Sequence, residues 1–205
     1  MRKFCLNIVF AGCCVVLASC QGTSGVYRNF KLSCSEISPY FSEMNWEIWG
    51  KAKKIEKCSG GTDFLEKYAL SKGFIIYQGL SNIDSYFPTI TERTFREALS
   101  GQTGLESNWK SIQINQVSTG SRNVNYSIFN RSNSGAYCAY FRMGHGNRMM
   151  FDGGDGWNEI AHGTVCGPTG MTLAEFQKAF ESRIQVFNVR TNKGEKNTAG
   201  YKSWD

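Results

Sequence analysis

Hydrophobic positions along this chain keep two rhythms, and the changes between them mark its elements. Three stretches keep helical spacing. The first places Phe64, Leu65, Tyr68 and Ala69 on one face; Asp63-Phe64-Leu65-Glu66 opens it in the pattern of a capping box and Gly73 stops it, predicting a helix over 64–72. The second opens at Thr91 or Thr94, with Glu97 at the box position for Thr94, and runs through Phe95, Ala98 and Leu99 to Gly101. Thr172-Leu173-Ala174-Glu175 opens the third, whose Leu173, Phe176 and Phe180 keep the spacing. All three stripes read as core faces.

Alternating or short apolar runs lie between them. Phe74-Ile75-Ile76-Tyr77 follows a glycine and suits a buried strand. Ile112/Ile114, Val124/Tyr126/Ile128 and Ala136 to Met143 follow one another, with turn residues at Ser118-Thr119-Gly120-Ser121 and Ser132-Asn133-Ser134-Gly135, and predict an antiparallel meander. Ala136 to Phe141 is apolar on both faces, which places it centrally in the sheet. Ile184/Val186 with Phe187 and Val189 predicts a closing strand. Asn45-Trp46-Glu47-Ile48-Trp49-Gly50 alternates like a strand yet continues into Ala52 to Lys57 like a helix, and the pattern leaves both open. The sum is an α+β fold, an antiparallel sheet with helices packed mainly on one side.

Arg2 and Lys3 precede an almost wholly apolar run from Phe4 to Ser19, after which the chain turns polar. That is the layout of a secretory signal, short for a membrane span of about 20 residues. Leu17-Ala18-Ser19-Cys20 resembles the lipobox of bacterial lipoproteins. The resemblance implies diacylglyceryl transfer to the Cys20 thiol, cleavage before it and acylation of the new amino group. Gln21, where an Asp would retain the protein, implies sorting to the outer membrane of a Gram-negative envelope. The expected organisation is a signal peptide over 1–19, a lipidated tether over 20–33, a single domain over 34–190 and a polar, mobile tail over 191–205. Fully extended, the tether reaches about 45 Å at roughly 3.3–3.6 Å per residue.

The leader carries two basic residues and no acid, so its removal lowers the net charge from +6 to +4. A nucleic-acid reader clusters its cations, and here Lys51-Ala52-Lys53-Lys54-Ile55-Glu56-Lys57 is the only dense basic run. It reads as a solvated face, with anionic lipid headgroups as the alternative partner. Nucleic acid is therefore not expected. Outside Cys5, Cys13, Cys14 and Cys20, four cysteines remain: Cys34, Cys58, Cys138 and Cys166. An even number in an exported chain predicts two disulfides. Of the three pairings, Cys34–Cys58 and Cys138–Cys166 join nearest neighbours. A four-Cys zinc site would need closer Cys-Cys spacing than any two of these show.

No G-x-S-x-G elbow, H-E-x-x-H or phosphate-binding glycine loop is present. Polar chemistry gathers between Gly144 and His162, where both histidines occur with Asp152, Asp155 and Glu159 among glycines. His145, Asp152, Asp155 and His162 are the candidates for a metal site or an acid–base pair, yet the spacing fails the EF-hand pattern. Asp-Gly pairs favour turns, so the segment is expected to be a surface loop joining two strands, with no resident cofactor or metal. Cys138-Ala139-Tyr140-Phe141-Arg142, the glycine-rich stretch, and Val165-Cys166-Gly167 before a Thr-capped helix together resemble uncharacterised exported proteins of proteobacteria, a resemblance that carries no function. The sequence thus favours a non-enzymatic envelope lipoprotein that binds envelope proteins, peptidoglycan or an outside partner. The alternatives are a cell-wall- or lipid-acting hydrolase centred on His145–His162, and a small-ligand carrier. No catalytic residue is assigned.

Overall fold

A computed structural model of the chain describes residues 33–34, 44–60, 63–79, 87–88, 90–100, 111–119, 122–131, 134–151 and 154–187. The leader, Cys20, Gly101, Asp152, Val189 and the tail 191–205 lie outside them. Nine strands of the described residues form one antiparallel sheet: β1 Ser33–Cys34, β2 Ala52–Gly60, β3 Asp63–Leu70, β4 Gly73–Gly79, β5 Phe87–Pro88, β6 Asn115–Thr119, β7 Arg122–Arg131, β8 Ala136–Phe151 and β9 Gly154–Cys166. Their order is β1-β2-β3-β4-β9-β8-β7-β6, with β5 beside β9. Two meanders, β2 to β4 and β6 to β9, therefore meet where β4 pairs with β9. Helix α1, Glu92–Ser100, and helix α2, Leu173–Val186, complete the fold.

The helices do not share one side, which corrects that expectation. Successive strand residues point to opposite faces, and each helix takes one. On the first face, Phe176, Phe180 and Ile184 of α2 pack on Ile75, Tyr77, Ala139, Phe141, Ala161 and Val165. On the second, Phe95 and Leu99 of α1 pack on Phe129, Cys138, Tyr140 and Cys166, with Ile112 and Ile114 alongside. The Trp46 segment is a 3₁₀ turn, Trp46–Trp49, followed by strand β2. Its Trp49 ring lies against Phe180, Phe141 and Phe187 at 5.5, 6.1 and 6.1 Å.

The helix expected over 64–72 is strand β3. Phe64, Glu66, Tyr68 and Leu70 are the buried positions, at a period of two. Glu66 tolerates burial because the Tyr68 hydroxyl donates to it at 2.5 Å and the Lys57 ammonium lies 3.6 Å away. A carboxylate facing inward hid the alternation, leaving Leu65 and Ala69 to suggest a helix. Gly73 is a hairpin position with φ 148°, and a Cβ there would lie 2.0 Å from the Thr164 carbonyl oxygen. The closing strand over 184–189 is likewise corrected: α2 continues to Val186 because Ile184 repeats the buried face of Phe176 and Phe180. The Asn45 amide donates to the Val186 carbonyl at 2.8 Å and so satisfies an end of that helix.

Both helix starts follow the threonines. Thr172 and Glu175 exchange a capping box. Thr91 opens α1 instead of Thr94, because the Thr91 and Thr94 side chains each accept from the other's backbone N–H, at 3.2 and 2.9 Å. Glu97 is left to pair with Arg93. Of the two expected staples, Cys138–Cys166 is a disulfide joining register partners on β8 and β9. Cys58 is disulfide-bonded, and Cys34 is its register partner across β1 and β2. No described helix is long and apolar enough to cross a membrane.

Candidate functional site

The stretch from Gly144 to His162 is not the expected surface loop. Strand β8 runs on to Phe151 and β9 begins at Gly154, so the glycines lie within or beside a long hairpin. Gly144 illustrates why one is needed inside a strand: a Cβ would fall 2.1 Å from the Trp157 indole. Close packing of a large ring, and not a turn, sets that glycine. His145 and His162 are each only 2 % exposed.

The hairpin register decides which residues meet. His145 is opposite Glu159, and Arg142 is opposite His162. Positions three apart on a strand face opposite ways. His145 and Glu159 accordingly belong to the α2 face, and Arg142 and His162 to the α1 face. The two histidines proposed from sequence therefore lie on opposite faces of the sheet. Asp155 stands opposite Met150 at the start of β9.

On the α2 face, His145 Nδ1 lies 2.9 Å from Glu159 Oε2, and the Tyr77 hydroxyl donates to the same oxygen. With the carboxylate ionised, Nδ1 carries the proton and Nε2 is the acceptor; Nε2 is buried without a hydrogen-bond partner. The Phe64 and His145 rings pack against Tyr77 at 4.9 and 5.9 Å. Beyond Tyr77 on the same face come Glu66 and Lys57, which share a register row with it. This string can orient an imidazole and hold a proton on it. His145, Glu159, Tyr77 and Glu66 are buried, and only Lys57 at the end of the string is partly exposed.

On the α1 face the arrangement differs. Arg142 is 5 % exposed, and its Nη1 donates to the Thr94 carbonyl of α1 at 3.1 Å. No carboxylate among the described residues pairs with it. Neither nitrogen of His162 has a hydrogen-bond partner among the described residues. Burial, and secondarily the Arg142 cation, push its pKa down to about 3, so the ring is neutral at physiological pH. Burial also lowers the pKa of Arg142, opposed by Tyr140 and Glu97. Tyr140 packs edge-on to His162 with centroids 6.3 Å apart.

Sequence reasoning missed Arg142 and Tyr77 as site residues. The available signal was a single charge, Arg142, inside the apolar run from Tyr137 to Met143. The basic run on β2 is split by alternation: Lys54 pairs with Glu56 at 2.5 Å, while Lys57 turns toward Glu66. Among the described residues no three His, Cys, Asp or Glu side chains converge as metal ligands. Compared with models of known protein families, with curated proteins and with solved structures, the chain matches none.

Proposed function

We propose that this chain is an exported envelope lipoprotein, anchored through Cys20 in the outer membrane of a Gram-negative cell, whose domain is a non-enzymatic binding or structural module. The observation that carries the reading is the Cys138–Cys166 disulfide within the sheet, since such bonds persist in oxidising compartments. The apolar leader ending on Leu17-Ala18-Ser19-Cys20 supplies the anchor. Two or three acyl chains would hold the domain far longer than one. Cys34 is the partner of Cys58 in this reading, stapling the tether's end to the edge of the sheet close to the membrane. Envelope proteins or peptidoglycan are the partners within reach.

Replacing Cys20 with Ser tests the anchor. Wild-type chain should partition with membranes and carry lipid mass on a new N-terminal Cys20, and Cys20→Ser should lose both. A variant that stays in the membrane fraction, or a wild type without lipid mass, contradicts the reading. Non-reducing peptide mapping checks the second staple: a Cys34–Cys58 peptide is expected, and a Cys34 thiol excludes it.

One observation favours a second reading, a hydrolase of wall or lipid material. A carboxylate holds Nδ1 of His145 and leaves Nε2 as a base, the arrangement of an oriented catalytic imidazole. Incubation with purified envelope fractions would then release fragments with wild type and none with His145→Asn. Equal release by both, or none by either, removes it.

A further inference from the structure

We propose that Arg142 and His162 form a binding site on the α1 face for one oxyanion group, a carboxylate or a phosphate. The inference rests on the binding-module half of the reading above and names its ligand class; it does not depend on the lipid anchor.

Charge on the α1 face is unbalanced among the described residues. A guanidinium is costly to bury unless a carboxylate or a full set of acceptors meets it. Arg142 is nearly inaccessible, yet among the described residues its one hydrogen bond goes to a neutral carbonyl, that of Thr94. Glu97, on the same helix, acts on it only through space, and pairs with Arg93. Arg142 therefore brings a positive charge that no carboxylate among the described residues pairs with, and a planar set of donors of which Nη1 is the one bonded, to the Thr94 carbonyl.

Its cross-strand neighbour adds to the same place. His162 faces the same way, is 2 % exposed, and has no partner on either nitrogen among the described residues. A buried polar group in that condition loses its hydration with nothing in return. The two residues are register partners on adjacent interior strands, and Arg142 is tied to α1 through the Thr94 carbonyl. A planar guanidinium pairs with carboxylate or phosphate through parallel N–H donors. A neutral imidazole beside it contributes one more N–H. An anion bound there would neutralise Arg142 and satisfy His162 together, whereas a cation would meet repulsion and an apolar group would leave both unsatisfied.

The α2 face is the internal control. His145 there has its carboxylate within the chain, in Glu159, and Glu159 is also held by Tyr77. Among the described residues, a carboxylate meets the buried histidine on one side of the sheet and none does on the other.

The test is calorimetric titration of the full-length protein with sodium phosphate and, separately, sodium acetate, at constant ionic strength in chloride. One anion should bind per chain, and the tighter of the two identifies the oxyanion type. Arg142→Gln should weaken binding at least tenfold, Arg142→Lys less, and His162→Gln severalfold. No saturable binding of either anion to wild type, or undiminished binding to Arg142→Gln, overturns the proposal. Should Arg142→Gln fail to fold, imidazole nitrogen spectra of wild type decide: His162 signals should shift on titration with the anion while those of His145 stay in place, and unmoved His162 signals overturn it. Both outcomes are independent of whether Cys20 carries lipid.

Discussion

One sheet buries a histidine on each face and, among the described residues, gives a carboxylate partner to only one of them. On the α2 face His145 leans on Glu159, and Glu159 also accepts from Tyr77. On the α1 face His162 has no hydrogen-bond partner, and the charge beside it, Arg142, is of the sign that disfavours its protonation. The first cluster ties His145 Nδ1 and the Tyr77 hydroxyl to one carboxylate within an aromatic core, where removing a member is costly because its partners stay buried. The second is under-satisfied by the chain itself. Two histidines of equal burial thus differ in their partners: one is held by a carboxylate of its own chain, and the other stands beside a buried cation.

The comparison can be broken most forcefully at Glu159. Glu159→Leu leaves the His145 N–H and the Tyr77 hydroxyl buried without their acceptor, and should cost about 3–5 kcal/mol of unfolding free energy by denaturant titration. Glu159→Gln should cost less, since an amide oxygen still accepts. On the α1 face, Cys138→Ala with Cys166→Ala opens a loop of sequence separation 28 beneath α1. The chain-entropy model gives a loss of about 3.5 kcal/mol, and the same titration checks it.

Acid sharpens the contrast. His162 has a folded-state pKa of about 3, below the ordinary 6.5 of the unfolded chain. Between those values the unfolded state binds the extra proton, so stability falls as pH falls, by up to about 1.4 kcal/mol per unit. Above pH 6.5 this contribution is level. Replacing His162 by Leu should flatten the slope in that window, measured by denaturant titration from pH 7 to pH 4. The smallest effect is expected at Thr172. Thr172→Ala removes the cap of α2 and should cost about 1 kcal/mol, lowering the thermal midpoint.

Much of this architecture was legible where local chemistry and tertiary packing agree. Thr91 and Thr172 mark the starts of both helices through short-range hydrogen bonds, which a sequence displays directly. The pair β7-β8 follows from alternation, and Cys138 with Cys166 from proximity and parity, whereas the strand expected at Ile112 and Ile114 forms instead at Asn115–Thr119 and takes in Ser118 and Thr119 of the expected turn. Legibility failed where packing overrides local pattern. Glu66 points inward because Tyr68 and Lys57 meet it there, and neither contact can be read from residues 63–66 alone. Ile184 belongs to a helix because it continues a stripe begun at Phe176, although its own neighbours alternate. Gly144 suggested a turn and in fact admits the Trp157 ring. The candidate site suffered from the same error: glycines taken as loop punctuation concealed a hairpin, and the hairpin's register is what separates His145 from His162.

The contrast between the faces is the centre of this account, and imidazole nitrogen spectra of the full-length protein across pH 7 to pH 4 test it most directly. The account predicts that His162 stays neutral throughout that range, and that His145 at pH 7 carries its proton on Nδ1 against Glu159. A His162 that titrates near 6.5 with an ordinary exposed signal, or a His145 whose proton resides on Nε2, would contradict it.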